Sequence, residues 1–159
     1  MTNEALPRSG RLPHRLLRWV ADGWLRGTDT AFAALLAEDG GERSETVLSL
    51  AALASRQVGE GHTRLDLGAA LREPESLWPD PPEAASEADG PARWLNALTL
   101  TDAVQALTGS AVVDVPDPAA TDDTGIAPLV LDGHHLYLRR YWANEQLIRA
   151  ALDVCLHAP

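Results

Sequence analysis

The chain has 159 residues, 45% of them hydrophobic and 23% charged, with a formal net charge of −10. That length suits one domain; the lone Cys155 excludes an internal disulfide scaffold, and no apolar run approaches the ~18 residues of a membrane span. All 13 basic residues are Arg, so a Walker A loop and a pyridoxal Schiff base, which both need Lys, are excluded here. Met1 to Leu12 has no continuous apolar core of the kind a signal peptide carries. A soluble, cytoplasmic protein with no membrane contact is expected, with residues 1–11 as a tail.

In chain order, Leu12 to Arg26 sets Leu16, Leu17, Val20 and Trp24 on one helical face, and Gly27 should stop that helix. Asp29 or Thr28 then caps a short helix through Phe32, Leu35 and Leu36. After the Asp39-Gly40-Gly41 turn, Ser44 caps a helix from Glu45 to about Gln57. That helix is apolar nearly all round, so it should be central and buried. Val58-Gly59-Glu60-Gly61-His62 reads as a flexible joint into a short strand at Leu65 and Leu67, with a helical turn near Leu71.

Two acidic stretches follow, Glu73 to Gly90 and Asp114 to Gly125, with ten acids and no base between them. They account for the whole net charge, and their Pro and Ala content suits solvated loops. Between them, Trp94, Leu95 and Leu98 mark a helix running towards Val104 and Leu107, which Thr99 or Thr101 can break in two. Val112 to Val115 suits an edge strand. Leu129 to Leu138 reads as a hairpin around Asp132-Gly133, expected as a type I′ turn. From Tyr141 the pattern turns helical, and Leu147, Ile148, Ala151 and Leu152 form a stripe expected to cover the hairpin's apolar face. The fold class is α+β, a mainly helical small domain over residues 12–156 with a short sheet and acidic loops at about 73–90 and 114–125.

Few residues suggest chemistry. Zinc needs converging donors, usually announced by close pairs; the one close pair, His134-His135, points to opposite faces of a strand. No metal site is expected. No G-x-S-x-G elbow presents a serine, and Cys155 falls on an apolar helix face, where a thiol is a small buried hydrophobe. Glu60 and His62 could pair an acid with a base in a small hydrolase, but they lack a third partner and their glycines suit a tight turn. Arg11, Arg15 and Arg18 form an ordinary solvated row. Arg139, Arg140 and Trp142 are denser, and basic groups beside rings can neutralise phosphate and stack on bases. They are the candidate interface or DNA contacts, although Tyr137, Tyr141 and Trp142 also suit a core.

Val58-Gly-Glu-Gly-His62 through Leu67, and Pro128-Leu-Val-Leu-Asp-Gly-His-His-Leu-Tyr-Leu-Arg-Arg-Tyr-Trp-Ala-Asn-Glu145, resemble segments of the RecD family, the alpha subunit of exodeoxyribonuclease V. Leu25-Arg-Gly-Thr-Asp29 to Phe32 and Trp94 fall in the same order, and the resemblance spans roughly residues 12 to 156. It implies the N-terminal domain of a 5′–3′ DNA helicase subunit in the RecBCD complex, acting in double-strand break repair and recombination. The family's ATP site, with its Mg, begins in motor domains beyond Pro159, so the resemblance assigns no catalytic, cofactor-binding or metal residue here. The implied partners are the RecC-like gamma subunit, on which the domain docks the motor, the RecB-like beta subunit, and DNA in the full complex. A fragment of a longer protein is expected. The alternatives left by the residues themselves are a DNA-contacting module using Arg139, Arg140 and Trp142, and a hydrolase using Glu60 and His62.

Overall fold

The structure is a computed structural model and describes residues 12–83, 90–117, 119 and 125–157. Helix α1 (His14–Ala21) buries Leu16 and Trp19, while Leu17 turns outward. It ends earlier than expected, because Gly23 takes a φ of +88°. The N–H of Trp24 then reaches Trp19 O at 2.8 Å, and that of Gly23 reaches Val20 O at 3.1 Å, a Schellman closure. Gly27 therefore opens α2 (Gly27–Glu38) instead of stopping α1. Asp29 is not the N-cap; it sits in the first turn and reaches back to the backbone N–H of Arg26 at 2.8 Å.

Helix α3 (Glu45–Gly59) starts where Ser44 Oγ accepts the N–H of Val47, and it buries ten side chains from Val47 to Gln57. It packs against α2, α6 and the sheet, which is why a helix without a polar face is tolerated. Its end is a second Schellman closure: Gly61 has a φ of +95°, and His62 N–H donates to Gln57 O at 2.9 Å. Strand β1 (Leu65–Asp66) leads directly into α4 (Leu67–Arg72), capped by Asp66 on the N–H of Ala69.

The first acidic stretch is not all solvated loop. Pro74–Leu77 forms a 3-10 turn with Pro74 buried, and Trp78 enters the core, donating its indole N–H to Trp24 O at 3.0 Å. Residues 84–89 lie outside the described residues, as do 118 and 120–124 of the second stretch. Helices α5 (Pro91–Ala97) and α6 (Leu100–Thr108) are separated at Thr99, whose hydroxyl caps α6 through the N–H of Asp102.

Strands β2 (Val113–Asp114), β3 (Leu129–Asp132) and β4 (His135–Leu138) complete a four-stranded sheet of order β1-β4-β3-β2. β2 pairs with β3 in parallel; the other pairs are antiparallel. Asp132 pairs with His135, so the turn residues are Gly133 and His134, one position later than expected. Gly133 alone has positive φ, at +63°, which makes the turn type II′ and not I′. One sheet face carries Leu129, Leu131 and Leu136 into the main core. The other carries Val130 and Tyr137, covered by Trp142 of the last helix, α7 (Arg139–His157). The fold is thus α+β and mainly helical.

Candidate functional site

Helix α7 begins at Arg139, two residues before the expected start, directly out of β4. The backbone N–H of Arg139 donates to Pro128 O at 2.8 Å, and its Nε donates to Ala127 O at 2.9 Å. Its guanidinium also pairs with the Asp114 carboxylate, which accepts the N–H of Ala127 at 3.0 Å. Gly125 lies against this pair, and a Cβ there would run into the Asp114 carboxylate. Arg139 thus ties β2, β3 and α7 together, and it also lies over the Trp142 ring at 5.6 Å.

Trp142 is buried, whereas Arg140 is exposed and stacks over Tyr141. The three expected contact residues therefore do not present one open face. Arg139 and Trp142 serve the fold, and Arg140 is the member turned to solvent. A basic stacking platform for nucleic acid is not assembled by this trio.

The next turn of α7 is held by a polar seam. Arg64 Nη1 donates to Tyr137 Oη at 3.0 Å and lies 3.6 Å from Glu145, which Arg149 approaches to 3.0 Å. Burial pushes the Tyr137 hydroxyl above its usual range, and the hydrogen bond to that hydroxyl raises the Arg64 guanidinium.

Trp142, Glu145 and Arg149 follow i, i+3 and i+7, so they share the side of α7 that meets the body. Leu147, Ile148, Ala151, Leu152 and Cys155 recur at helical spacing farther along; Leu152, i+7 from Glu145, falls on that same side, but from Leu147 onward α7 runs past the body and every residue to His157 is exposed. They do not cover the hairpin. Leu147 is 70% exposed and Ile148, Leu152, Val154 and Leu156 are each more than half exposed. Cys155 is exposed too, contrary to the buried place expected for it. The hairpin's leucines are already covered by α3, which leaves Trp142 and the polar seam to cover the other face. α7 is consequently held at its first turns by Trp142 and the polar seam, while its second half carries apolar side chains that nothing in the described domain covers.

Glu60 and His62 do not form an acid–base pair among the described contacts. Glu60 ends α3 and pairs with Arg56 at 3.5 Å, and His62 closes the Schellman turn through its backbone. His62 lines a shallow hollow of about 500 Å³ together with Gln57, Arg64 and Asp66. Among the described residues no group of three or more His, Cys, Asp or Glu could hold a metal ion. No described helix is long and apolar enough to cross a membrane.

The residue that sequence reasoning placed least well is Asp29, which is fully buried. It accepts from Arg26 Nη2 and from Ser55 Oγ, each at 2.7 Å, and so locks α2 to α3. The three-residue spacing of Arg26 and Asp29 allows a local ion pair, but it does not reveal the burial of Asp29 or its bond to Ser55, 26 residues away. The hydrogen bond to Asp29 holds the Arg26 guanidinium above its ordinary value.

Residues 21–137 match the family model described as RecBCD enzyme subunit RecD, N-terminal domain. The match runs from the end of α1 to β4 and stops short of α7. A comparison with curated proteins found no match.

Proposed function

Because the chain belongs to the family of RecD N-terminal domains, we propose that it is the non-catalytic docking domain of a RecD-like 5′–3′ DNA helicase subunit. On this reading it joins a RecBCD-type complex for double-strand break repair and recombination by seating the motor on the RecC-like gamma subunit. The RecB-like beta subunit and DNA are its further neighbours in the assembled enzyme, and the cytoplasm is its compartment. The observation that carries the reading is the uncovered apolar second half of α7. A row of Leu and Ile side chains at helical spacing, left uncovered by its own domain, is the surface a helix offers to another body.

ATP and Mg belong elsewhere in such a subunit. The residues present do not fit them, since the chain has no Lys for the phosphates and no Gly-rich phosphate loop. The domain's part is positional.

The test is co-expression of the tagged chain with the gamma subunit. Wild type should retain that subunit on the affinity resin. The double variant Leu147→Asp, Leu152→Asp should fold with an unchanged melting curve and release it. Retention by the double variant, or no retention by wild type, would overturn the reading.

A further inference from the structure

The sheet ends at β1, which has no strand on its outer side among the described residues. In an antiparallel pair, successive residues turn their backbone groups alternately to the neighbour and away from it. Leu67 N–H donates to His134 O at 2.9 Å and Leu65 pairs with Leu136, so Leu65 faces β4. Arg64 and Asp66 consequently turn their main-chain groups the other way. The C=O of Asp66, the N-cap residue of α4, is taken by the first bond of that helix. The Asp66 N–H and both groups of Arg64 are left on the open side.

Arg64 and Asp66 also line the hollow of about 500 Å³ beside His62, whose wall comes only from residues 57–77. Gln57 reaches it from the last turn of α3 and is only 8% exposed. Its side-chain amide has no hydrogen-bond partner among the described residues. Neither amide atom is sealed, however, so the surface Gln57 keeps opens to the hollow. A nearly buried amide without a partner is costly, and a ligand group offering one donor and one acceptor removes that cost. Arg64 and Asp66 set opposite charges on the rim, both side chains more than a third exposed, so the hollow selects no net charge. Ala69 and Leu77 add apolar wall.

From the open main-chain groups of β1 and the unpartnered Gln57 amide beside them, we propose that this edge and hollow bind a short extended peptide bearing an uncharged amide side chain, Gln or Asn. The peptide adds a strand to β1, accepting from the Asp66 N–H and exchanging two bonds with Arg64. Its amide side chain enters the hollow and pairs with Gln57 through one donor and one acceptor. An edge strand of two residues templates no long sheet, which limits the occupant to a short segment. The site uses none of the uncovered side chains of α7, so it stands or falls apart from the docking reading.

The experiment is a titration of the ¹⁵N-labelled full chain with acetylated, amidated Val-Thr-Gln-Thr-Val. The Arg64 and Asp66 backbone amides should move downfield and saturate. The Gln57 side-chain amide, identified by its loss in Gln57→Leu, should move with them. Gln57→Leu in the chain, or Leu for Gln in the peptide, should each weaken binding by about tenfold, roughly one hydrogen bond. The peptide change leaves the protein untouched, so it decides even where Gln57→Leu does not fold. A peptide methylated at its backbone nitrogens should not bind. No saturable shift, equal affinity for the Leu peptide, or undiminished binding of the methylated one would each overturn the proposal. So would Arg64 and Asp66 shifts that follow protein concentration without peptide, which would give the edge to a second copy of this chain.

Discussion

Helix α3 has 15 residues and buries ten of its side chains, whereas α7 has 19 residues and buries only Trp142. Both are rich in Leu and Ala. The difference lies in their neighbours: α3 meets α2, α6, β1 and β4, while α7 meets β3 and β4. A helix becomes core by being surrounded, and apolar side chains by themselves do not bring that about. Where a helix runs past its own domain, its apolar side chains are available to something else.

Substitutions can break or sharpen this contrast. The largest loss should come from Leu53→Ala in α3, about 2–5 kcal/mol by denaturant unfolding, because α3 is held on all sides and the cavity cannot collapse. Asp29→Ala should cost about 2–4 kcal/mol, since four donors lose their acceptor, though the half-exposed Arg26 still reaches water. A loss as small as that of a surface change would mean α2 and α3 hold together by apolar packing alone.

At the root of α7 the effects should shrink. Arg139→Ala removes the tie to Asp114 and Ala127 and should cost about 1–2 kcal/mol, while Arg140→Ala should leave the melting curve in place. Equal melting of the two would show that Trp142 anchors the helix unaided.

The Tyr137 seam adds a pH dependence. Its folded pKa is raised by burial, so its contribution is complete below the unfolded value of about 10 and is lost as pH rises through the folded value. Melting measured between about pH 9 and 11 should fall for wild type and fall less for Tyr137→Phe. Smallest of all, Leu147→Ala and Leu152→Ala should each change stability by less than about 0.5 kcal/mol, because nothing in the domain covers them. The same changes should weaken retention of the gamma subunit, which separates docking from folding by measurement.

Features set by near neighbours in sequence were readable from it. Ser44 caps its helix as expected, the break between α5 and α6 falls at Thr99, and the hairpin spans Leu129–Leu138 as expected, although its turn is one residue later and type II′. The run from Val47 to Ala54, apolar except for Ser49, could only be central. Gly27 misled because Gly23, four residues earlier, already supplies the left-handed turn that ends α1. Periodicity in α7 showed that Leu147, Ile148, Ala151 and Leu152 share a side, but not what that side faces. The hairpin's leucines were taken by α3, a competition that no local pattern records. Arg139 was missed for the same reason, since Asp114 lies 25 residues away and meets it only after β2 joins β3. The likeness to the RecD family was legible in two short segments, and the matched residues 21–137 contain the first and the hairpin of the second.

The pairing of β1 with β4 bears on how the chain leaves the ribosome. Leu65 waits for Leu136, about seventy residues downstream, and β4 is also a cover of α3. At roughly 5–20 residues per second, synthesis leaves that interval at some 4–14 s. During it the nascent α3 displays leucines that the finished domain hides, next to β1, an unpaired strand only two residues long. The order of translation thus leaves the most deeply buried helix without its β4 cover until the hairpin emerges.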